Sequence, residues 1–283
     1  MNETVTASSM SRRRFFKRTA RTLLYNDWIC QIFAIFIVGA LSSGIRLFGM
    51  NLCSVMLTVT ENQKLTNFFG VVYLMLGVLL MLPLYYGLLH FEKQMLMEGK
   101  GKISDIFYCY SSLGELNHAY SVIFGVAWRV VLCFLPMIVL NLFEFVYYYE
   151  GYFGFIMRYS SIDLVGTAIR TLIVVFGYLG FVFSSKYFVT LYISHERPEI
   201  SVREAVMISK VCMYGSGFES VGLALSFLPL VVLSIFSMGF LFLLFTFPYM
   251  LITFVVFSKY LYEKEMYTRN AHNLLYSDNE NEN

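Results

Sequence analysis

Residues 220–262 contain a single charged side chain, Lys259, in a run of about 43 residues. A helix rises 1.5 Å per residue, so about 20 apolar residues cross the roughly 30 Å of bilayer hydrocarbon. The run is too long for one crossing and sufficient for two, with the joining turn expected near Ser237 and Gly239. Four further runs share its character. Residues 28–47 are interrupted only by Gln31, small side chains and, at the far end, Arg46, and 68–90 carry no acid, lysine or arginine. Residues 130–149 hold Glu144 near their far end, and 165–193 hold Arg170 and Lys186. Composition agrees, because 58% of the chain is apolar and 14% charged, where a soluble domain carries about a quarter charged residues. A water-soluble globule and intrinsic disorder are thereby excluded, and five scattered Cys exclude a disulfide scaffold. The expected fold is all-α: a polytopic membrane bundle of six transmembrane helices.

Pro83, Pro136, Pro229 and Pro248 fall within the expected spans. A helix-interior proline removes one N–H and frees the carbonyl a turn earlier. In a bundle, neighbouring donors can satisfy that carbonyl, so each proline is expected as a kink. The Lys and Arg distribution sets orientation. Arg12, Arg13, Arg14, Lys17, Arg18 and Arg21 precede the first span, and Lys93, Lys100 and Lys102 follow the second. Arg197, Arg203 and Lys210 lie between the fourth and fifth spans, and Lys264 and Arg269 follow the last. The opposite loops offer only Arg46, Lys64 and Arg158. A cell-membrane protein with both termini cytoplasmic is expected. Tyr147, Tyr148, Tyr149, Tyr152 and Tyr159 suit an outer aromatic belt, and Trp28 an inner one. A basic start followed by an apolar run ending in Gly39-Ala40-Leu41-Ser42 also has the order of a cleavable signal. That run, however, is longer and begins later than a signal core.

Each outward span is preceded by a segment of mixed polarity, at residues 11–26, 104–118 and 201–214. Ser11, Ser104 and Ser201 open them as candidate N-caps. Only the third has the complete capping pattern, Ser201 with Glu204; there Val202, Ala205, Val206 and Ser209 share one helical face. The expectation is three interfacial amphipathic helices, each followed by a hairpin of two spans. The units, about 11–91, 104–193 and 201–262, would form a parallel repeat. Residues 1–10 read as a flexible N-terminus, 11–265 as one integral membrane domain, and 266–283 as a flexible cytoplasmic tail. The six cations from Arg12 to Arg21, beside Phe15, Phe16, Leu23 and Leu24, also suit a helix lying on anionic lipid. Topology alone would require the same charges.

The residues Tyr187-Phe188-Val189, Pro198-Glu199-Ile200-Ser201, Glu204-Ala205-Val206, Ser209 and Met213-Tyr214-Gly215 resemble the domain-of-unknown-function 975 family of bacterial polytopic membrane proteins. So do residues 18–28, with Ala20, Leu23 and Asn26, and the late Pro248-Tyr249. The resemblance covers about residues 12–265. It departs at Pro136-Met137, where the family leads one to expect Pro-Gly. It implies a bacterial inner-membrane bundle of about six helices, with no assigned reaction.

Ionisable groups inside a membrane are functional candidates by default. Glu144 and Arg170 are expected at similar depth on adjacent helices, as an ion pair, with Asn141 one turn before Glu144 completing a polar cluster. Such a pair serves either as an interhelical staple or as a substrate or proton site. Glu92, Arg129, Lys186 and Glu219 fall toward the inner side, where mutual neutralisation is expected. His90, His118 and His195 match no metal-ligand spacing. Zinc-helix, nucleophile-elbow and phosphate-loop patterns are missing, so no catalytic residue, metal or cofactor is assigned. The basic N-terminus is too aromatic and too near the membrane for nucleic acid; membrane lipids, anionic on the cytoplasmic side, are the expected partners. The sequence therefore points to a non-enzymatic accessory, scaffold or envelope-related membrane protein. The alternatives are a small-solute or lipid transporter, or a permease subunit working with a separate ATPase.

Overall fold

The computed structural model describes residues 9–60, 62–149 and 164–281, with side chains described for 12–60, 62–145 and 166–268. The side chains of Tyr147, Tyr148 and Tyr149, together with Tyr152, Arg158 and Tyr159, lie outside the described residues, as do residues 1–8 of the N-terminus. Among the described residues the protein is helical, without strands. Six stretches are long and apolar enough to cross a membrane: Arg12–Thr60, Gln63–Glu98, Leu113–Phe145, Gly166–Glu196, Gly217–Phe236 and Phe242–Thr268.

Helix α1 (Ser9–Thr60) is divided at Asp27, whose φ of −139° and ψ of 34° leave the helical region. The carboxylate of Asp27 accepts the Gly101 N–H at 2.9 Å, and Cys30 Sγ donates to the Gly101 carbonyl at 3.2 Å. The kink is thus tied to the connection that follows α2 (Gln63–Glu98). It separates the basic leading segment of α1 from its span. The turn between α1 and α2 is capped by Asn62, whose side chain accepts from the N–H groups of Lys64 and Leu65.

The second segment departs from expectation. In place of one helix over 104–118 there is a 3-10 helix, Ile103–Tyr110, and then α3 (Leu113–Tyr149) with Ser112 accepting the Glu115 N–H. Three residues per turn put Ile106 and Cys109 on one face, and both are buried. Burial pushes the Cys109 thiol up to about 12, with the nearby Glu115 carboxylate adding to the effect.

The fourth span is also interrupted. Helix α4 (Leu164–Ser184) gives way to a 3-10 turn, Ser185–Tyr187, before the short α5 (Thr190–Glu196). Ser184 and Ser185 donate to the carbonyls of Phe181 and Val182, competing with the helical ladder. Ser209 donates to the Lys186 carbonyl at 2.9 Å.

Helix α6 (Val202–Cys212) has the expected reciprocal cap between Ser201 and Glu204. The Ser201 N–H and hydroxyl hold the Glu204 carboxyl below its ordinary range. Ala205, Val206 and Ser209 are buried, whereas Arg203 and Lys210 face out. Helices α7 (Gly217–Leu225) and α8 (Leu228–Phe236) form the fifth span, with Pro229 in the first turn of α8, where a missing N–H is harmless. The chain then reverses through Met238 and Gly239, with φ of 53° and 86°, at the expected position. A π-helical turn, Phe242–Thr246, leads into α9 (Phe247–Asn281). The stretch expected as a flexible tail therefore continues the helix as far as Asn281. Residues 282 and 283 lie outside the description.

Two of the span-interior prolines, Pro83 and Pro248, are each served by a donor from another helix. Pro83 cannot donate to the Leu79 carbonyl, and Tyr120 of α3 donates there at 2.8 Å. Pro248 cannot donate to the Leu244 carbonyl, and the Trp28 indole N–H does so at 3.1 Å. Each proline thus creates an acceptor that ties one span to its neighbour.

Buried apolar side chains gather toward one end of the bundle. In α1 they end at Val38, in α2 they begin at Met81, in α3 they end at Val122, and in α9 they begin at Ile252. This basal end also collects the leading segment of α1, the 3-10 helix, α5 and α6. Toward the distal end, α1 packs on α2 and α3 on α4, while α1 makes no substantial contact with α3 or α4.

Candidate functional site

Glu144 and Arg170 meet as expected, with Arg170 Nε 2.9 Å from Glu144 Oε1. The arginine side chain is 63% exposed, so the pair joins α3 to α4 on the bundle's outer surface. Asn141 is not drawn into it; its amide donates to the Met137 carbonyl of its own helix at 2.8 Å.

The six N-terminal cations divide into two groups. Arg12 pairs with Glu219 at 3.5 Å. The Arg13 guanidinium lies where a side chain on Gly222 would project. Lys17 donates to the Ser226 carbonyl at 2.9 Å and sits 4.3 Å from the Phe227 ring centroid. These three are committed to the third hairpin, and Phe16 and Ala20 of the same segment are fully buried. One face of the leading helix, the one that carries Arg12, Arg13 and Lys17, is thus packed against protein. Arg14, Arg18 and Arg21 are exposed; at i, i+4 and i+7 they form a single stripe. Beside Arg21, Trp28 and Tyr249 border a cleft of about 310 Å³ between α1 and the π-helical turn.

Of the inner charges, Glu219 is neutralised by Arg12, whereas Arg129 donates to the Gly125 carbonyl and exposed Lys186 lies 5.1 Å from the Phe183 ring centroid. The constellation that spacing could not find lies between α2, the 3-10 helix, α3 and α5. Tyr86 stacks on His195 at 3.9 Å between centroids, and His90 stacks on Tyr108 at 4.2 Å. The two histidine rings are 5.3 Å apart, and His118 meets Tyr86 edge-on at 6.5 Å. Tyr86 donates to Ser194 at 3.1 Å, while a His195 ring nitrogen lies 3.2 Å from the Tyr86 carbonyl. Tyr108 donates to Glu115; burial, followed by that hydrogen bond, pushes its phenol up. Lys93 closes the cluster, donating to the His195 carbonyl at 2.8 Å and pairing with Glu196 at 2.9 Å. The signal available in the sequence was the four-residue spacing of Tyr86, His90 and Gln94, which places them on one helical face. His118 and His195 arrive from distant elements. Among the described residues, no three His, Cys, Asp or Glu side chains converge in a metal-holding arrangement.

Above this cluster lies a cavity of about 490 Å³, walled by Val126, Val130, Phe181, Leu191, Ala224 and Phe254, with Lys93 and His195 in its lining. Its polar lining is largely committed elsewhere. Ser184, Ser185 and Ser220 donate to carbonyls of their own helices, and Lys93 is held by Glu196 and the His195 carbonyl. The chamber is therefore chemically apolar, within the range of about 300–1,000 Å³ typical of ligand clefts. A second cleft of about 690 Å³ runs along the α1–α2 pair past Tyr73 and Tyr85. Comparison with protein-family models, with curated proteins and with solved structures finds no match to this chain.

Proposed function

We propose that this chain is a non-enzymatic membrane protein that holds phospholipid within its bundle, in an accessory, scaffold or envelope-related role. The observation that carries the reading is the apolar chamber over the histidine–tyrosine cluster. Its walls suit an acyl chain, and its Ser184, Ser185 and Ser220 hydroxyls and Lys93 are already partnered, which disfavours a hydrated solute. The exposed stripe Arg14, Arg18 and Arg21, with Trp28 and Tyr249 nearby, supplies the chemistry for an anionic headgroup at the same end. That end is assigned to the cytoplasmic side on the weight of its Lys and Arg, and the membrane to a bacterial cell on the family resemblance alone. The recurrence of a basal helical segment before each hairpin supports a three-unit repeat, matched in order rather than in detail. Membership of the domain-of-unknown-function 975 family rests on the residues that carry the resemblance.

Filling the chamber tests the proposal. Ala224→Trp is expected to remove one retained phospholipid per chain in native mass spectrometry of the detergent-extracted protein. Equal lipid retention by wild type and variant would end the assignment. The headgroup contact is tested separately: Arg14, Arg18 and Arg21 changed together to Gln should weaken retention of anionic lipid. The corresponding change at Arg12, Arg13 and Lys17 should instead lower thermal stability. If the two triple variants behave alike, the division between lipid-facing and protein-facing cations fails.

A second reading, lipid transport, is favoured by the separation of the hairpins toward the distal end, which leaves lateral routes at membrane depth. Vesicle assays of lipid movement between leaflets distinguish it from simple retention. The permease alternative needs a basal element to grip an ATPase, and the short connections 99–102 and 197–201 give it little support.

A further inference from the structure

Glu92 is fully buried in the basal core, where side-chain and backbone contacts join α1, α2 and α9. The ion pairs among the described residues join Arg12 to Glu219, Lys93 to Glu196, Arg170 to Glu144 and Lys259 to Glu263; none serves Glu92. Its partner is the amide of Gln31, also fully buried. Gln31 Nε2 donates to Glu92 Oε1 at 2.7 Å and to the Pro248 carbonyl at 3.1 Å. An amide nitrogen has two hydrogens, and both are committed. Glu92 Oε2 and Gln31 Oε1 remain as buried acceptors without a donor.

A buried carboxylate with no cation is among the most costly groups a protein interior can hold. One proton removes both deficits. Placed on Oε2, it cancels the charge and makes a hydroxyl that donates to Gln31 Oε1, so acid and amide pair through two reciprocal hydrogen bonds. We propose that Glu92 is a proton-binding site, and that the protonated Glu92–Gln31 pair, extended to the Pro248 carbonyl, latches α9 to the first hairpin. Loss of the proton sets acceptor against acceptor inside the core and loosens that junction.

The titratable groups of the surrounding elements that make side-chain contacts make them with one another or with backbone, not with Glu92. On α1, Asp27 accepts from Gly101 and Cys30 donates to it; on α2, His90 stacks on Tyr108 and Lys93 pairs with Glu196. Asp105 accepts the Lys102 N–H, Glu115 accepts from Tyr108, and His118 and His195 lie against Tyr86. Lys259 of α9 pairs with Glu263. A metal cation is the weaker occupant, because hard cations such as calcium and magnesium take about six or more oxygens and this pair leaves two unpartnered.

Infrared difference spectra of the full-length protein in lipid nanodiscs test the site. Subtracting Glu92→Gln from wild type near neutral pH should reveal the loss of one protonated-carboxyl stretch. Gln31→Leu should move that stretch to higher frequency, since the acid carbonyl loses its N–H donor. Wild type alone, titrated toward alkaline pH, should lose the band. A difference spectrum showing carboxylate stretches instead overturns the proposal, as does a carboxylate band that responds to sodium at constant pH. So does a wild-type spectrum with no protonated-carboxyl band anywhere above the ordinary carboxylate range.

Discussion

Gly87→Ala should lower the protein's stability by about 3 kcal/mol, or prevent folding altogether, the upper end of what overpacking costs. A Cβ at position 87 would stand 1.9 Å from the Ile106 carbonyl oxygen and 2.8 Å from its carbon. These are backbone atoms, so no rotamer change relieves the overlap. The 3-10 helix would have to move off α2, and it carries Ile106 and Cys109 into the core and Tyr108 onto His90. Gly114→Ala is the matched control, because its nearest neighbour is Ser112 Oγ at 3.7 Å. There the change removes glycine's conformational freedom at an exposed position, and an effect within about 1 kcal/mol, in the stabilising direction, is expected. Chemical unfolding of both variants in the same detergent is the measurement. Equal losses at the two positions would show that the close approach to Ile106 does not hold the 3-10 helix in place.

Trp28→Phe is expected to cost about 1.5 kcal/mol, above the usual interhelical hydrogen bond in a membrane, because the Leu244 carbonyl then has neither a backbone nor an indole donor. The reason is local. Pro248 has no N–H for the Leu244 carbonyl, and the Trp28 indole supplies one from α1. The indole also packs on Phe245, with ring centroids 4.4 Å apart, a contact that phenylalanine largely keeps. Pro248→Ala would restore a backbone donor to the turn. In that background Trp28→Phe should cost about 1 kcal/mol less, a coupling within the range for neighbouring groups. A double-mutant cycle on purified protein measures it. Strictly additive losses would mean that the indole and the proline act independently. In either case Trp28 has a more specific task than an aromatic belt requires.

The same chemistry explains which expectations transferred from sequence to structure. The spans were legible because each is a contiguous run, and contiguity is all a bilayer demands. The Ser237–Gly239 reversal and the Ser201–Glu204 cap were legible because both act over a few residues. Glu144 with Arg170 was legible because adjacent hairpin helices have calculable depths. The 3-10 helix was not, since its shape depends on the space left by Gly87 on another element. Nor was the division of the basic segment, since Glu219, Gly222 and Ser226 lie some 200 residues away in sequence. The histidine cluster draws on α2, α3 and α5, and no spacing rule connects them.

Taken by itself, the amino-acid sequence determined the membrane-like character of this protein, its six helices long and apolar enough to cross a bilayer, and the concentration of positive charge at one end. Those properties depend on transfer of side chains between water and hydrocarbon, which each segment undergoes largely on its own. The tertiary structure decided which cations pack against protein and which stay exposed, which carbonyls freed by proline are satisfied, where the apolar chamber opens, and that Glu92 meets Gln31 without a counter-charge. These are properties of packing between distant segments. A hydrogen bond or a close contact acts over a few ångströms, and only the folded chain brings such partners within that reach.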